Sequence, residues 1–410
     1  MKYHILSLDG GGAWALIQVK TLIRLYGANA RGHDVLKHFD LVAANSGGSI
    51  VVAALIENFT LAEILAFFTS ESQRRAIFSE LPWYNKFNPL NLFLPLPRFS
   101  TEKKLQALIA VFKQYGPEWM RDIQIMGKNN QPILFMFVSY DYDRDRAKFF
   151  RSWPSLAGAV TSPYADISLI DAVHASSNAP IQFFDQPAQI AGGQYWDGGL
   201  TGYNNPVLAA ATEAIAASWK KEQIAILSIG TGSTMLPLLN NRTHNEPGFL
   251  FKNQQISSIQ NDIKKVAATI LADPPDSHTF LAHLLIGGRL PLAMDECPVI
   301  DSGLIRLNPL IQANGNSEDG WTLPDGFDEE QFKRLINLDM AVIVQADIDL
   351  IVHFCELWML DKVHNQAIRA GKDFICEIGF ARFSDAIEKW QSYTLTPLTG
   401  QYHDLSRQLF

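Results

Sequence analysis

Apolar residues in the first half of the chain fall in two alternating rhythms. Short runs of strand length occupy residues 5–8, 39–44 and 224–229. Helical spacing occupies 13–26, 48–56 and 61–69. Strand and helix in alternation predict a mainly parallel sheet covered on both faces, an α/β fold. A helix capped by Ser100 or Thr101 runs to about 115, and strands follow near 133–139 and 147–151. Residues 168–177 read as helix, then a strand leads to Asp197. An alanine-rich helix covers 206–218, with Pro206 near its first turn. The later part is mostly helical, over 251–271, 329–336, 341–370 and 381–393, with Leu357 and Trp358 in the core. Linkers are expected near 240–248 and 315–326. The division expected is a core over 1–235 and a helical part over 236–410 packed on that core.

One stretch breaks both rhythms. Residues 80–100 are very apolar and interrupted by Pro82, Pro89, Pro95 and Pro97, so no regular helix can run through them. Two readings stand: a loop packed across the core, or a lid and apolar wall for acyl chains that also touches lipid.

Composition narrows the class. With 47% hydrophobic and 19% charged residues, the chain is ordinary globular protein. A net charge of −8 without a Lys/Arg cluster argues against nucleic acid, and contact with a membrane would have to come from apolar surface. The three cysteines, Cys297, Cys355 and Cys376, form no CxxC pair, so each is expected as a lone thiol in a reducing compartment. The N-terminus enters the first strand directly and no apolar run reaches about 18 residues, so neither signal peptide nor spanning helix is expected. These points favour a cytoplasmic protein, peripheral at membranes, with signal-independent secretion equally compatible. Asn241-Arg242-Thr243 is a sequon by chance in that setting.

The chemistry gathers at three turns. The run Leu41-Val42-Ala43-Ala44-Asn45-Ser46-Gly47-Gly48 ends a strand on a serine and starts a helix. Such a turn lifts a hydroxyl out of the sheet at a helix N-terminus, and small neighbours let the backbone pass close. It is a degenerate G-x-S-x-G, with Ala44 in place of the first glycine. Leu8-Asp9-Gly10-Gly11-Gly12 is a glycine loop between strand and helix, whose amides can converge on one anionic oxygen. Phosphate cradling is the lesser reading, because neither nucleotide glycine pattern is completed. Trp196-Asp197-Gly198-Gly199 puts a carboxylate where a strand meets a glycine turn, and strand ends are where α/β active sites assemble.

In this order the three elements resemble the patatin-like phospholipase family, acyl hydrolases of the cytosolic phospholipase A2 type. Residues 139–152, 172–180 and 226–232 resemble the family's supporting segments, and 305–309 its final strand. The resemblance implies a three-layer sandwich around a mainly parallel sheet, and a Ser46–Asp197 dyad. Ala44, Asn45, Gly47 and Gly48 would form the nucleophile elbow. Gly198 and Gly199 would follow the proton acceptor, and Gly10, Gly11 and Gly12 would form the oxyanion hole. It implies a phospholipid or other acyl-lipid substrate, and neither metal nor cofactor. Asp197 would need a raised pKa from partial desolvation to serve as base. The family usually has a basic residue and then glycine where this chain has Trp14 and Ala15.

Two alternatives stay open. A Ser-His-Asp esterase would need one of His244, His278, His283, His353, His364 or His403, none of which sits in a recognisable motif; His174 reads as structural. A lipid-binding protein with a decayed site is suggested by Trp14 and Ala44. Asp141, Asp143 and Asp145 read as a hairpin turn rather than a calcium loop.

Overall fold

A computed structural model describes residues 2–82, 96–153, 167–237, 248–252, 257–316, 320–369 and 377–394. Its strands are β1 (Tyr3–Leu8), β2 (Leu41–Ala44), β3 (Leu134–Asp141), β4 (Arg146–Arg151), β5 (Ala188–Ile190), β6 (Gly193–Asp197), β7 (Ile224–Ile229), β8 (Ser233–Thr234), β9 (Leu304–Leu307), β10 (Leu310–Ile311), β11 (Asn314–Asn316) and β12 (Gly320–Thr322). The helices are α1 (Leu16–Tyr26), α2 (Gly32–Leu36), α3 (Ser46–Ile56), α4 (Leu61–Thr69), α5 (Glu71–Ile77), α6 (Thr101–Val111), α7 (Leu169–Ser176), α8 (Val207–Ala216), α9 (Ile259–Leu285), α10 (Glu329–Leu335), α11 (Gln345–Met359) and α12 (Phe383–Thr394).

The main sheet has the order β5-β6-β3-β2-β1-β7-β9, with β4 also paired to β3. The pairs β3–β2, β2–β1, β1–β7 and β7–β9 are parallel, whereas β4, β6 and β5 join antiparallel. Strand side chains alternate between two cores. Leu6, Leu8, Val42, Phe135 and Leu227 face one, and Ile5, Leu41, Ala43, Met136 and Ile226 face the other. Both faces are therefore covered, which is why these strands read as continuous apolar runs. The result is a three-layer α/β sandwich. Helices α1, α3 and α11 contribute to the first core, and α8 and the end of α9 to the second.

Strand order reverses at β1, whose neighbours β2 and β7 lie on opposite sides of it in the sheet and far apart in sequence. Loops leaving a sheet at such a point diverge and open a crevice at the strand ends. The glycine loop after β1 stands there.

The later part of the chain adds β9 to the sheet, where 305–309 resembled a final strand. It departs from expectation in three places. The helix expected over 251–271 instead spans Ile259–Leu285 and carries Pro274 and Pro275 within it. The helix expected over 341–370 is only Gln345–Met359, and Ala341 and Val342 are buried in irregular backbone. The second linker region holds the hairpin β11–β12. Residues 238–247, with the first linker and the sequon, and 83–95 of the apolar stretch lie outside the described residues.

The cysteines also differ from expectation. Cys355 is free and buried, but Cys297 is disulfide-bonded. Cys297 is thus not the lone thiol that its sequence spacing suggested. Among the described residues no helix is long and apolar enough to cross a membrane.

Candidate active site

Strand register alone brings the two principal residues together. Ala44, the last residue of β2, pairs with Phe137 of β3. Two residues on, Ser46 stands in the turn into α3, and two residues further along β3 Ser139 pairs with Asp197 of β6. Because β6 runs antiparallel, Asp197 arrives from the opposite direction to Ser46. The sequence argument from parallel strand ends thus reached the right level by a different route.

Ser46 opens α3 directly after Asn45, with φ of 50°, a left-handed conformation unusual for serine. Strain of this kind is found where surroundings hold the backbone firmly. Here the Ser46 N–H donates to Ser176 Oγ at 3.1 Å, and Ser176 Oγ lies 2.8 Å from Ser49 Oγ. The following glycines are required by contact. A Cβ at Gly47 would stand 2.6 Å from the Gly12 carbonyl oxygen, and one at Gly48 2.8 Å from that of Asp9. The turn after β2 is therefore pressed against the glycine loop. Ala44 is fully buried without disturbing the strand pairing.

The Ser46 side chain stands beside the Asp197 carboxylate and favours its ionised form. Asp197 Oδ1 also accepts from the Gly199 N–H at 2.8 Å and from Asn45 Nδ2 at 3.1 Å. Its own N–H donates to the Asn178 carbonyl at 3.0 Å. Burial pushes the Asp197 carboxyl above the usual carboxylate range, and the nearby Ser46 side chain, the Gly199 and Asn45 hydrogen bonds and the Lys104 charge pull it part of the way back.

The glycine loop is held by its carbonyls. Gln18 Nε2 donates to the Asp9 carbonyl at 2.8 Å, Thr231 Oγ1 to that of Gly10 at 2.8 Å, and the Trp14 N–H to that of Gly11 at 3.2 Å. With these oxygens tied back, the amides turn to the other side. Gly10 is an exception, since its N–H already donates to the Asn204 carbonyl at 2.9 Å. Of the expected oxyanion donors, Gly10 is thus an anchor, while Gly11 and Gly12 donate to no backbone carbonyl among the described residues. Below the loop, Arg306 of β9 binds Asp9 through both guanidinium nitrogens, at 2.9 and 2.6 Å, with each side chain about 5% exposed. Arg306 was not singled out from sequence; the signal available was one arginine inside a strand of leucines and isoleucine.

A cavity of about 330 Å³ opens on Ser46. Gly12, Ser46 and Gly47 form one side of it, and Phe68, Leu108 and Phe112 belong to its apolar wall. Such a volume lies within the usual range for a small-molecule site.

Trp14 takes a structural part. Its indole N–H donates to the Asp339 carbonyl at 3.0 Å, and its ring meets Phe354 edge-on at 6.3 Å. It binds the start of the helix after the glycine loop to the later part of the chain, where a basic residue was expected.

No described histidine hydrogen-bonds Ser46 or Asp197. His283 is fully buried between Ser302 Oγ at 2.8 Å and the Arg289 carbonyl at 3.0 Å. His353 meets the Gly326 carbonyl, and His278 packs against Tyr203. Burial lowers the His174 pKa to about 2, with the Lys104 charge adding to the effect, so its ring is neutral and structural. His244 and His403 lie outside the described residues. The carboxylates of the β3–β4 turn are engaged locally: Asp141 with Arg144, Asp143 with Gln194 and Asp145 with the Tyr140 hydroxyl. Among the described residues no carboxylate, histidine or cysteine group could hold a metal ion.

The profile of the family described as patatin-like phospholipase matches residues 6–211, half of the chain. The sporulation protein CotR of Bacillus subtilis is 26% identical over 233 residues, covering 56% of this chain and 63% of its own. The protein teg of Priestia megaterium is 23% identical over 312 residues, covering 76% and 88%. The present chain thus spans less than two thirds of CotR. VipD of Legionella pneumophila aligns in structure over 87% of this chain and 67% of its own, at 13% identity and a TM-score of 0.35.

Proposed function

The chain belongs to the patatin-like phospholipase family, and from that premise we propose that it is a lipid acyl hydrolase working through Ser46 and Asp197. One observation carries the reading: a serine in a strained turn, beside a buried carboxylate, faces an apolar cavity.

The chemistry follows from these positions. An acyl chain enters the cavity and its ester carbonyl comes to rest over Ser46. Ser46 Oγ attacks the carbonyl carbon while Asp197 takes the hydroxyl proton. A carboxylate is ordinarily a weak base, and the burial that raises the Asp197 pKa improves the match to serine. The developing oxyanion is received by the Gly11 and Gly12 amides, with the positive end of α3 adjacent. Collapse expels the alcohol, which takes the proton from Asp197. Water then attacks the acyl-serine, losing its proton to Asp197; collapse breaks the bond to Ser46 Oγ, which takes that proton back, and the fatty acid leaves. The protons balance using these residues and water alone.

The substrate class is a phospholipid or other acyl lipid, drawn from a membrane or micelle surface.

Fatty-acid release from mixed phospholipid and neutral-lipid micelles, in the presence of chelator, tests the reading. The wild type is expected to release fatty acid, and Ser46→Ala and Asp197→Asn to abolish release while remaining folded. Folded wild type inactive on every lipid, or release that persists in Ser46→Ala, would overturn it.

A further inference from the structure

Lys104 is fully buried on α6, a rare position for a lysine unless it is paired. Among the described residues it makes no salt bridge. Its Nζ donates to the His174 carbonyl at 3.0 Å and to Ser177 Oγ at 3.3 Å, and lies 4.4 Å from the centre of the Phe184 ring. His174 is in the last turn of α7, where carbonyls lack partners within the helix and carry its negative end.

The segment held in this way joins the two proposed catalytic residues. Ser176 Oγ accepts the Ser46 N–H, and the Asn178 carbonyl accepts the Asp197 N–H. Lys104 thus fastens the short stretch that sets both backbones. Burial pushes the Lys104 pKa well below the ordinary lysine value and the Asp197 charge pulls it back in part; the two hydrogen bonds donated by Nζ and its place by the Phe184 ring suit the ammonium form, whose charge favours ionised Asp197.

Resting on the hydrolase reading above, we propose that Lys104 is a positioning residue of the site: it clamps the end of α7 between Ser46 and Asp197 and supplies the buried positive charge that keeps the base ionised. The other charged groups nearby are engaged elsewhere. Asp185 caps the start of α6 through the Thr101 N–H, and Glu102 and Lys103 are exposed on its outer side. Arg74 of α5 is tied to the Phe68 and Ile343 carbonyls. The His174 ring is neutral.

The sign of the effect is fixed. A positive charge favours ionised Asp197, so its removal raises the pH at which Asp197 becomes a carboxylate. Activity that needs the carboxylate is then lost at a higher pH on the acid side.

The test titrates Asp197 directly. The full chain is labelled with ¹³C at aspartate side-chain carboxyls, and the Asp197 resonance is assigned with Asp197→Asn. In Lys104→Met its midpoint is expected to rise by about one pH unit, the low end for loss of a neighbouring charge, and in Lys104→Arg to return toward wild type. Lys104→Gln, whose amide can retain the hydrogen bonds, is expected to match Met and serves if Met does not fold. Fluorophosphonate labelling of Ser46, followed against pH, should show its acid limb moving by the same amount. An unmoved midpoint in folded neutral variants would overturn the proposal, even if their thermal stability changes. Failure of the hydrolase reading would look different: no Ser46-dependent ester cleavage by wild type, although the Asp197 midpoint still responds to Lys104.

Discussion

Two carboxylates lie buried near the same edge of the sheet, and they are treated in opposite ways. Asp9 follows β1 and is 3% exposed; Asp197 closes β6 and is 5% exposed. Burial pushes both above the ordinary carboxylate range. Asp9 is then pulled back by the Arg306 guanidinium, which grips it through two nitrogens and is held in turn by Ser228. Asp197 receives the neutral donors Gly199 and Asn45, with the Ser46 side chain beside it and its opposite charge acting from Lys104. Full pairing fixes a carboxylate as a structural ion. Neutral hydrogen bonds leave it able to accept a proton. Burial alone cannot tell a structural acid from a catalytic one; the partners do.

The sharpest way to break this comparison is to remove the proton acceptor. Asp197→Asn keeps the size and most of the hydrogen bonding, so folding should change little. Ester cleavage should fall by about 10²–10⁴, the usual contribution of a general base, read as kcat/KM on a soluble ester beside the melting temperature. A variant that melts much earlier and retains its rate would make Asp197 the structural member of the pair.

Arg306→Met probes the other side. It leaves the buried Asp9 carboxylate without its counter-charge, a loss expected to cost about 3–5 kcal/mol by denaturant unfolding. The glycine loop begins at Asp9, so its amides should also become more open to hydrogen exchange. Stability equal to wild type would mean that Asp9 is not held as an ion.

Much of this contrast could be read from the sequence on one side only. Ser46, Asp197 and the glycines lie in turns whose spacing states their chemistry, and the parallel sheet followed from runs such as Leu41–Ala44. What stayed hidden depends on contacts far along the chain. Arg306 is 297 residues from Asp9, and no local pattern links them. The antiparallel direction of β6 was equally invisible, because a strand reads the same in either direction. The helix expected over 341–370 ended early for a related reason. Apolar side chains such as Val363 and Ile368 are buried by irregular segments, and their spacing imitated a helix face. The use of the Gly10 amide by Asn204 could not be seen in a run of glycines, where every amide looks alike.

The finest test removes one hydrogen bond from each carboxylate system. Asn45→Ala takes the 3.1 Å donor from Asp197 Oδ1, together with the Asn45 bonds to Asn204 and Ser176, and Ser228→Ala takes the 2.8 Å acceptor from Arg306 Nη1. Each hydrogen bond is worth about 1 kcal/mol, or more where a charge takes part. The two losses should nevertheless appear in different measurements. Asn45 donates to the ionised form of Asp197, so its removal raises the Asp197 pKa further, and the acid limb of the pH–rate profile should move upward by less than about one unit. Ser228 serves a guanidinium that keeps its contact with Asp9, so its removal should lower unfolding stability by about 1 kcal/mol and leave the acid limb in place. If both variants moved the acid limb, the two carboxylates would be coupled through the glycine loop, and the division between structural and catalytic acid would have to give way to a single network.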